Sequence, residues 1–181
     1  MKNINNSVKI TGEITMTKHA EARGIFKLWN KLLRGLYTAK ILSRKGLVNL
    51  YAKGKKLEEI KDYNIICTTG FSVLAQILVG DYADTGQITQ MALGDGVGTP
   101  AIADTALFNE VYRNNTASST SSGAVAILTA FYTEIEVDGT FTEFGNFIDD
   151  TELFSHINVN WVKTSSETLT VQCRYTFANK P

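Results

Sequence analysis

Apolar and polar residues alternate along much of the chain, and this pattern predicts β-strands. The alternation is strictest in TLTVQCRYTF, residues 168–177, where Leu169 and Val171 fall on one face and Thr170 and Gln172 on the other. One face of such a strand is expected to lie in the core. Residues 156–163 alternate in the same way, with Ile157, Val159 and Trp161 on the apolar face. Further strands are predicted over residues 7–16, 46–53, 57–68, 87–94, 107–114, 124–137, 140–147 and 156–163.

Glycine and small polar residues separate the predicted strands. Gly54-Lys55 and Asp138-Gly139 predict hairpin turns. The segment NNTASSTSSG, residues 114–123, predicts a flexible polar loop that has no side chains with which to form a core. Because short turns join successive strands, antiparallel pairing is favoured over a parallel sheet.

Residues 19–44 follow a helical pattern instead. At 100° per residue, the apolar residues fall on one half of the helix surface and most of the basic residues on the other. Such a helix either covers the protein's own core or docks on a membrane, an acidic partner or a neighbouring subunit. The candidate subunit-interface residues are Ile25, Trp29, Leu32, Leu33 and Leu36 on the apolar side, with Lys27, Lys31 and Arg34 on the basic side.

A second helix is predicted over FSVLAQILVG, residues 71–80, which is apolar on nearly every side and is expected to be buried. The fold class that follows is mainly β with some α (α+β). We expect an antiparallel β-sandwich with an N-terminal amphipathic helix and one short buried helix. Residues 1–45 are predicted to form an attachment segment, a strand followed by the basic helix, and residues 46–181 the sandwich domain.

The composition agrees with a folded domain, since 44% of the 181 residues are hydrophobic. The chain contains no apolar run long enough to span a membrane. Its first residues lack the apolar region of a signal peptide, so we expect synthesis and assembly in a cytoplasm. Cys67 and Cys173 lie in apolar runs and are expected to be buried thiols, with a disulfide as the alternative.

The zero net charge hides a strong asymmetry along the chain. Residues 1–62 carry 14 Lys or Arg and 5 Asp or Glu, a net charge of +9, whereas residues 63–181 carry 4 and 13, a net charge of −9. A division of this kind indicates that the two parts meet different surroundings, or that one end of a subunit docks on the other end of its neighbour.

The loop ALGDGVGTP, residues 92–100, is the one candidate for phosphate binding. Its GxGxG spacing differs from the dinucleotide fingerprint, and it lacks the GK[ST] ending of a P-loop. We therefore interpret its three glycines as residues of a compact turn between strands.

The remaining candidates for chemistry are few. His19 is placed at the start of the basic helix, and His156 follows Ser155 in a strand, so that their side chains are expected on opposite faces. Asp149, Asp150 and Glu152 lack the spacing of a calcium loop. The basic residues occur without an aromatic-basic RNA motif, so nucleic acid is not an expected partner. We predict no enzyme activity, no cofactor and no metal site.

Several segments, in order, resemble a family of tailed-bacteriophage structural proteins, the minor tail and tail-fibre proteins. They are MALGDGVGTPAIADTALFNEVYR, with its Asp104-Thr105-Ala106-Leu107 step and its Tyr112-Arg113 end, and FTEFGNFIDDTELFSHINV, with a turn at Thr142-Glu143-Phe144-Gly145. The predicted hairpin and short helix of residues 46–81 and the closing strand extend the resemblance to residues 46–178. The basic helix in residues 17–45 lies outside the family pattern.

The resemblance implies a structural protein of the virion, assembled in the host cytoplasm as a ring or trimer with other virion proteins. Our first hypothesis is a mounting or connecting subunit in the tail, baseplate or neck. The alternative is a capsid decoration or head-fibre-base protein. A third hypothesis is a carbohydrate- or cell-surface-binding fibre module, in which Tyr112, Tyr132 and Trp161 form a stacking platform.

Overall fold

A computed structural model describes residues 8–179 of the chain. Nine strands and three helices follow one another along the sequence. In order they are β1 (Val8–Ala20), α1 (Ile25–Thr38), α2 (Arg44–Leu50), β2 (Lys56–Ile66), α3 (Thr68–Val79), β3 (Ile88–Gly94), β4 (Glu110–Asn115), β5 (Ser118–Ser122), β6 (Val125–Tyr132), β7 (Gly139–Ile148), β8 (Glu152–Lys163) and β9 (Glu167–Asn179). The mainly β class with some α is confirmed. Ser7, where the first strand was predicted to begin, lies outside the described residues.

The strands form one antiparallel sheet in the order β4-β3-β7-β8-β2-β1-β9-β6-β5, curled into a half-barrel. The predicted β-sandwich is not confirmed. The sheet has two halves, since β2 pairs along most of its length with β1 but with β8 only where Ile65 and Ile66 meet His156 and Ser155. The two halves curl around a single main core, so the core is enclosed largely by one continuous sheet.

The chain passes directly from one edge of the sheet to the other between β4 and β5. Thr116 donates its backbone N–H to Thr89 in β3, and Ala117 donates to Thr129 in β6. Close by, the Tyr132 hydroxyl donates to the Met91 carbonyl at 3.1 Å. The two edges of the half-barrel therefore meet at this point.

The core consists of the inward residues of both halves. Trp161 in β8 and Leu169, Val171 and Cys173 in β9 are buried in it, as the alternation in these two segments predicts. Val159 packs against the same cluster. The local period of two therefore identified the inner face of both strands.

The strand predicted over residues 46–53 is wrong, because α2 covers most of this segment. Ser43 caps α2 by accepting the backbone N–H of Gly46, and Leu47 is buried at helical spacing. Gly54-Lys55 consequently joins a helix to β2, and the predicted hairpin does not form. β2 pairs instead with β1 and β8.

Three other predictions for the strand region are corrected. The polar segment 114–123 contains β5, which pairs with β6 through its backbone although all its side chains are exposed. Asp138-Gly139 does not form a hairpin, since β6 pairs with β5 and β9 whereas β7 pairs with β3 and β8. Residues 142–145 lie inside β7 and form no turn.

Both helices predicted from periodicity exist, with different limits or burial. The first extends from Ile25 to Thr38, because residues 19 and 20 belong to β1. The second is α3, which Gly80 ends in the left-handed conformation as predicted. Its predicted burial is wrong, since Leu78 is 87% exposed and Phe71 and Val79 are also exposed.

The division at residue 45 remains a prediction. β1 is paired along its whole length with β9, so residues before and after that boundary share one sheet. Within residues 8–179, no helix is both long and apolar enough to cross a membrane.

Candidate functional site

Helix α1 is fixed to the protein by one buried face. Asn30 exchanges two hydrogen bonds with the backbone of Ala52, since its amide nitrogen donates to the carbonyl at 2.8 Å and its oxygen accepts the N–H at 2.9 Å. Three residues on, Leu33 packs with Leu47 of α2 and Phe131 of β6 and is 1% exposed. One predicted interface residue, Leu33, is therefore directed into its own subunit.

Arg34, a second predicted interface residue, also faces inward. Its guanidinium donates to the Tyr51 hydroxyl at 2.7 Å and forms an ion pair with Glu134, which is itself buried. Tyr51 in turn donates to Glu134. Burial and the neighbouring Glu134 carboxylate raise the pKa of Tyr51 above its ordinary value. These three side chains bind α1 to the segment after β6.

Several apolar residues in the first two turns of α1 are exposed. Ile25, Leu28 and Leu32 are 76%, 68% and 54% exposed and fall at positions i, i+3 and i+7, where they form a continuous row that we call the α1 ridge. Trp29 flanks the row, is 40% exposed and donates its indole N–H to the Leu50 carbonyl at 3.1 Å. Half of the predicted apolar arc thus covers the protein's own core, and the other half faces solvent.

The basic residues beside the α1 ridge are also exposed. Lys27 forms an ion pair with Glu21 at 2.8 Å, whereas Arg23 and Lys31 have no ion-pair partner among residues 8–179. Leu36, the remaining predicted interface residue, is half-buried. The structure therefore gathers Ile25, Trp29, Leu32, Lys27 and Lys31 on one accessible surface, while Leu33 and Arg34 lie beneath it.

A second charge cluster holds the segment 133–138, to which α1 is also bound. Arg44 at the start of α2 forms an ion pair with Glu136 at 2.7 Å and donates to the Phe131 carbonyl. Burial alone would raise the pKa of Glu136, but the hydrogen bond and the charge of Arg44 outweigh it and lower the pKa. Lys163 donates to the carbonyls of Glu136 and Val137 at 2.8 and 3.0 Å.

The glycine loop at residues 94–98 is organised by a buried carboxylate. Glu143 in β7 is inaccessible to solvent and accepts backbone N–H groups from Gly96 at 3.1 Å, Phe108 at 2.8 Å and Asn109 at 2.7 Å. A Cβ atom at Gly96 would lie 2.5 Å from the same carboxylate. The glycine is therefore required by close packing, and the interpretation of the loop as a compact turn agrees with this role.

His156 completes this cluster. Its Nε2 lies 2.9 Å from Glu143 and its Nδ1 lies 2.7 Å from Asp104, while Phe108 packs over the ring at a centroid distance of 4.9 Å. Ser155 points to the other side of the sheet and bonds with Asn64, Asn146 and Tyr175, so the predicted separation of the two residues is correct.

The His156 cluster connects the loop, β7 and β8, and its polar atoms are satisfied by internal contacts. Such saturation is typical of a structural cluster, because a catalytic base needs a free position toward a substrate. The sequence analysis did not identify it. The available signal was Glu143, the single charged residue in the predicted strand 140–147.

The other sequence candidates are placed as follows. His19 lies in β1 and not at the start of a helix; burial and the charges of Lys53 and Lys56 lower its pKa. Asp149 and Asp150 accept hydrogen bonds from the segment 85–89. Across the described part of the chain, no group of His, Cys, Asp and Glu has the arrangement of a metal site.

Two further expectations concern buried side chains. Cys67 and Cys173 are free and buried, and burial raises their thiol pKa values to about 11 and about 12. The stacking platform for a carbohydrate does not form, because Tyr132 and Trp161 are buried in the core and only Tyr112 is partly accessible.

No protein-family model, curated protein or solved structure is matched by this chain.

Proposed function

We propose that this protein is a non-enzymatic structural subunit that assembles with copies of itself, in a particle of the tailed-phage type. The observation that carries the proposal is the α1 ridge, a row of apolar side chains that remains exposed although the same helix is firmly fixed to the fold. An exposed apolar row of this kind is typical of an interaction surface. The resemblance of residues 46–178 to minor tail and tail-fibre proteins suggests the setting.

The saturated charge clusters support a structural role. Arg34, Arg44 and His156 each bind carboxylates within the subunit. The Arg34–Glu134 and Arg44–Glu136 pairs fix α1 and α2 to the segment 133–138 and so hold the α1 ridge in place. A rigid, preformed surface reduces the conformational entropy that association costs.

Substitution of Leu28 by Asp tests the proposal. The side chain is 68% exposed, so the variant is expected to fold normally while losing association. Sedimentation velocity over a range of protein concentrations should show oligomers for the unaltered chain and monomers for the variant. Val97→Asp, at a side chain that is 95% exposed far along the sequence, is the matched control and should assemble normally. A monomeric unaltered chain at every concentration contradicts the proposal.

Salt separates the electrostatic part of the association from the apolar part. Exposed ion pairs contribute about 0–1 kcal/mol each, and 1 M salt screens charges beyond about 3 Å. We expect the association constant to fall several-fold at 1 M NaCl while oligomers persist. An unchanged constant would show that the basic residues take no part.

Immunogold labelling of intact particles tests the location. Label at the tail tip or neck supports a mounting or connecting subunit in the tail, baseplate or neck. Label over the head favours the alternative, a capsid decoration or head-fibre-base protein, and the absence of label from particles contradicts a virion role.

A further inference from the structure

We infer that the α1 ridge of one copy binds helix α3 of a second copy. This inference rests on the proposed function and names the partner surface. α3 is fixed by its buried residues Gly70 and Val73, and Gly70 lies against Phe154 of β8. Its opposite side exposes Phe71, Ala75 and Leu78 at positions i, i+4 and i+7, a row that we call the α3 ridge.

The two ridges have matching spacing when the helices are antiparallel. Each ridge extends over eight residues, and reversal of one helix turns the i, i+3, i+7 spacing into i, i+4, i+7. The facing pairs are Ile25 with Leu78, Leu28 with Ala75, and Leu32 with Phe71. The small side chain of Ala75 leaves room for Leu28, so the helices can approach closely at the centre of the contact.

Charge favours the same direction. No Lys or Arg occurs between Lys61 and Arg113, and exposed Asp81 follows the C-terminus of α3. Exposed Arg23 precedes the N-terminus of α1. Antiparallel packing places Arg23 beside Asp81 and the positive end of the α1 dipole beside the negative end of the α3 dipole.

A second copy fits these observations because one chain carries both surfaces. Two α1 ridges brought together would place the exposed basic residues of one copy beside those of the other. A contact of α1 with α3 avoids this repulsion, because residues 62–112 contain no Lys or Arg. Such a head-to-tail contact produces a ring if it closes and a filament if it does not.

Complementation between two variants tests this inference. Leu28→Asp removes the α1 ridge and keeps the α3 ridge, whereas Leu78→Asp does the reverse. Each variant alone should be monomeric, and an equimolar mixture should form a heterodimer that grows no further. Sedimentation velocity measures all three samples, with Val97→Asp as the control for an exposed charge placed elsewhere.

The outcomes separate this inference from the proposed function. If Leu78→Asp assembles normally while Leu28→Asp is monomeric, the α1 ridge is an assembly surface but α3 is not its partner. If both variants are monomeric and their mixture stays monomeric, the two ridges do not meet, and the inference is overturned. If the unaltered chain is itself monomeric at every concentration, both proposals fail.

Cross-linking tests the register. Leu28→Cys in one copy and Ala75→Cys in another should form a disulfide under mild oxidation. Ser72→Cys, on the exposed side of α3 but off the ridge, is the control and should react at least tenfold more slowly. The native thiols are both buried and do not interfere. Equal rates for Ala75→Cys and Ser72→Cys would overturn the predicted register.

Discussion

Glu143 illustrates how one buried side chain determines the shape of a whole loop. A carboxylate without access to solvent is stable only when its oxygens are fully hydrogen-bonded. Three backbone N–H groups and the His156 ring meet this need. The glycine loop therefore follows the carboxylate, and its unusual composition reflects packing around Glu143.

Substitution of Glu143 by Gln should lower the free energy of unfolding by about 3 kcal/mol, because it removes a buried charge that accepts charge-assisted hydrogen bonds. Urea denaturation at pH 7 measures the change. Glu110→Gln, which breaks the partly exposed ion pair with Arg113 in β4, is the control and should cost less than about 1 kcal/mol. Equal losses in the two variants would contradict the organising role of Glu143.

At the scale of the element, α1 buries one set of apolar residues and exposes another. Leu33 packs in a cluster with α2 and β6, whereas Leu32 lies on the exposed ridge. A helix with an exposed apolar row beside its core face has a wider apolar arc than its own core requires. This width explains why periodicity predicted the helix correctly but assigned Leu33 to the interface.

Substitutions of Leu33 and Leu32 should have different effects, the first on the stability of the fold and the second on self-association. Leu33→Ala leaves a cavity and should destabilise the fold by about 3 kcal/mol. Leu32→Ala should change the free energy of unfolding by less than about 0.5 kcal/mol and should weaken self-association instead. Urea unfolding and sedimentation of both variants provide the measurement, and the same loss of stability in both would contradict the assignment of faces.

Hydrophobic periodicity predicted those strands and helices whose structure is determined by residues close together in the sequence. β8 and β9 were identified together with their inner faces. The strand predicted over residues 46–53 was wrong because the spacing of Leu47, Val48 and Tyr51 suits a helix as well as a strand. The Ser43 cap favours the helix. β5 was not predicted, because a strand of only Ser and Thr has no alternation of apolar and polar residues.

The whole molecule depends on pairings that no local pattern contains. β1 lies between β2 and β9, and the chain crosses between the two sheet edges at Thr116 and Ala117. The hairpin predicted at Asp138 failed for this reason, since the segment 133–138 connects two halves of the sheet. Arg44 and Lys163 hold that connection from the two sides.

The stability of this connection should depend on pH. The Glu136 carboxyl has an ordinary pKa of 4.5 and a lower pKa in the folded protein. Its ion pair with Arg44 therefore contributes fully above pH 4.5, and this contribution is lost as the pH falls through the folded pKa. Urea unfolding between pH 7 and pH 3 should show a loss of stability below pH 4.5.

Glu136→Gln should be less stable than the unaltered chain at pH 7 and should lose less stability on acidification. Glu59→Gln, which alters a carboxyl that pairs with Lys56 at the surface, is the control and should retain most of the acid dependence. An identical slope for Glu136→Gln and the unaltered chain would show that the Arg44 pair does not contribute to acid stability.

The pairing of Val8 with Asn179 at one end of the β1–β9 ladder has a mechanical consequence. In an antiparallel pair loaded at these two residues, tension reaches one hydrogen-bonded pair at a time, and the ladder peels apart at low force. Tension that enters through α1 and leaves through α3 does not act on this end of the ladder. A subunit linked to its neighbours through the two helices would therefore bear tension without loading the Val8–Asn179 end of the β1–β9 ladder, where the strands separate most easily.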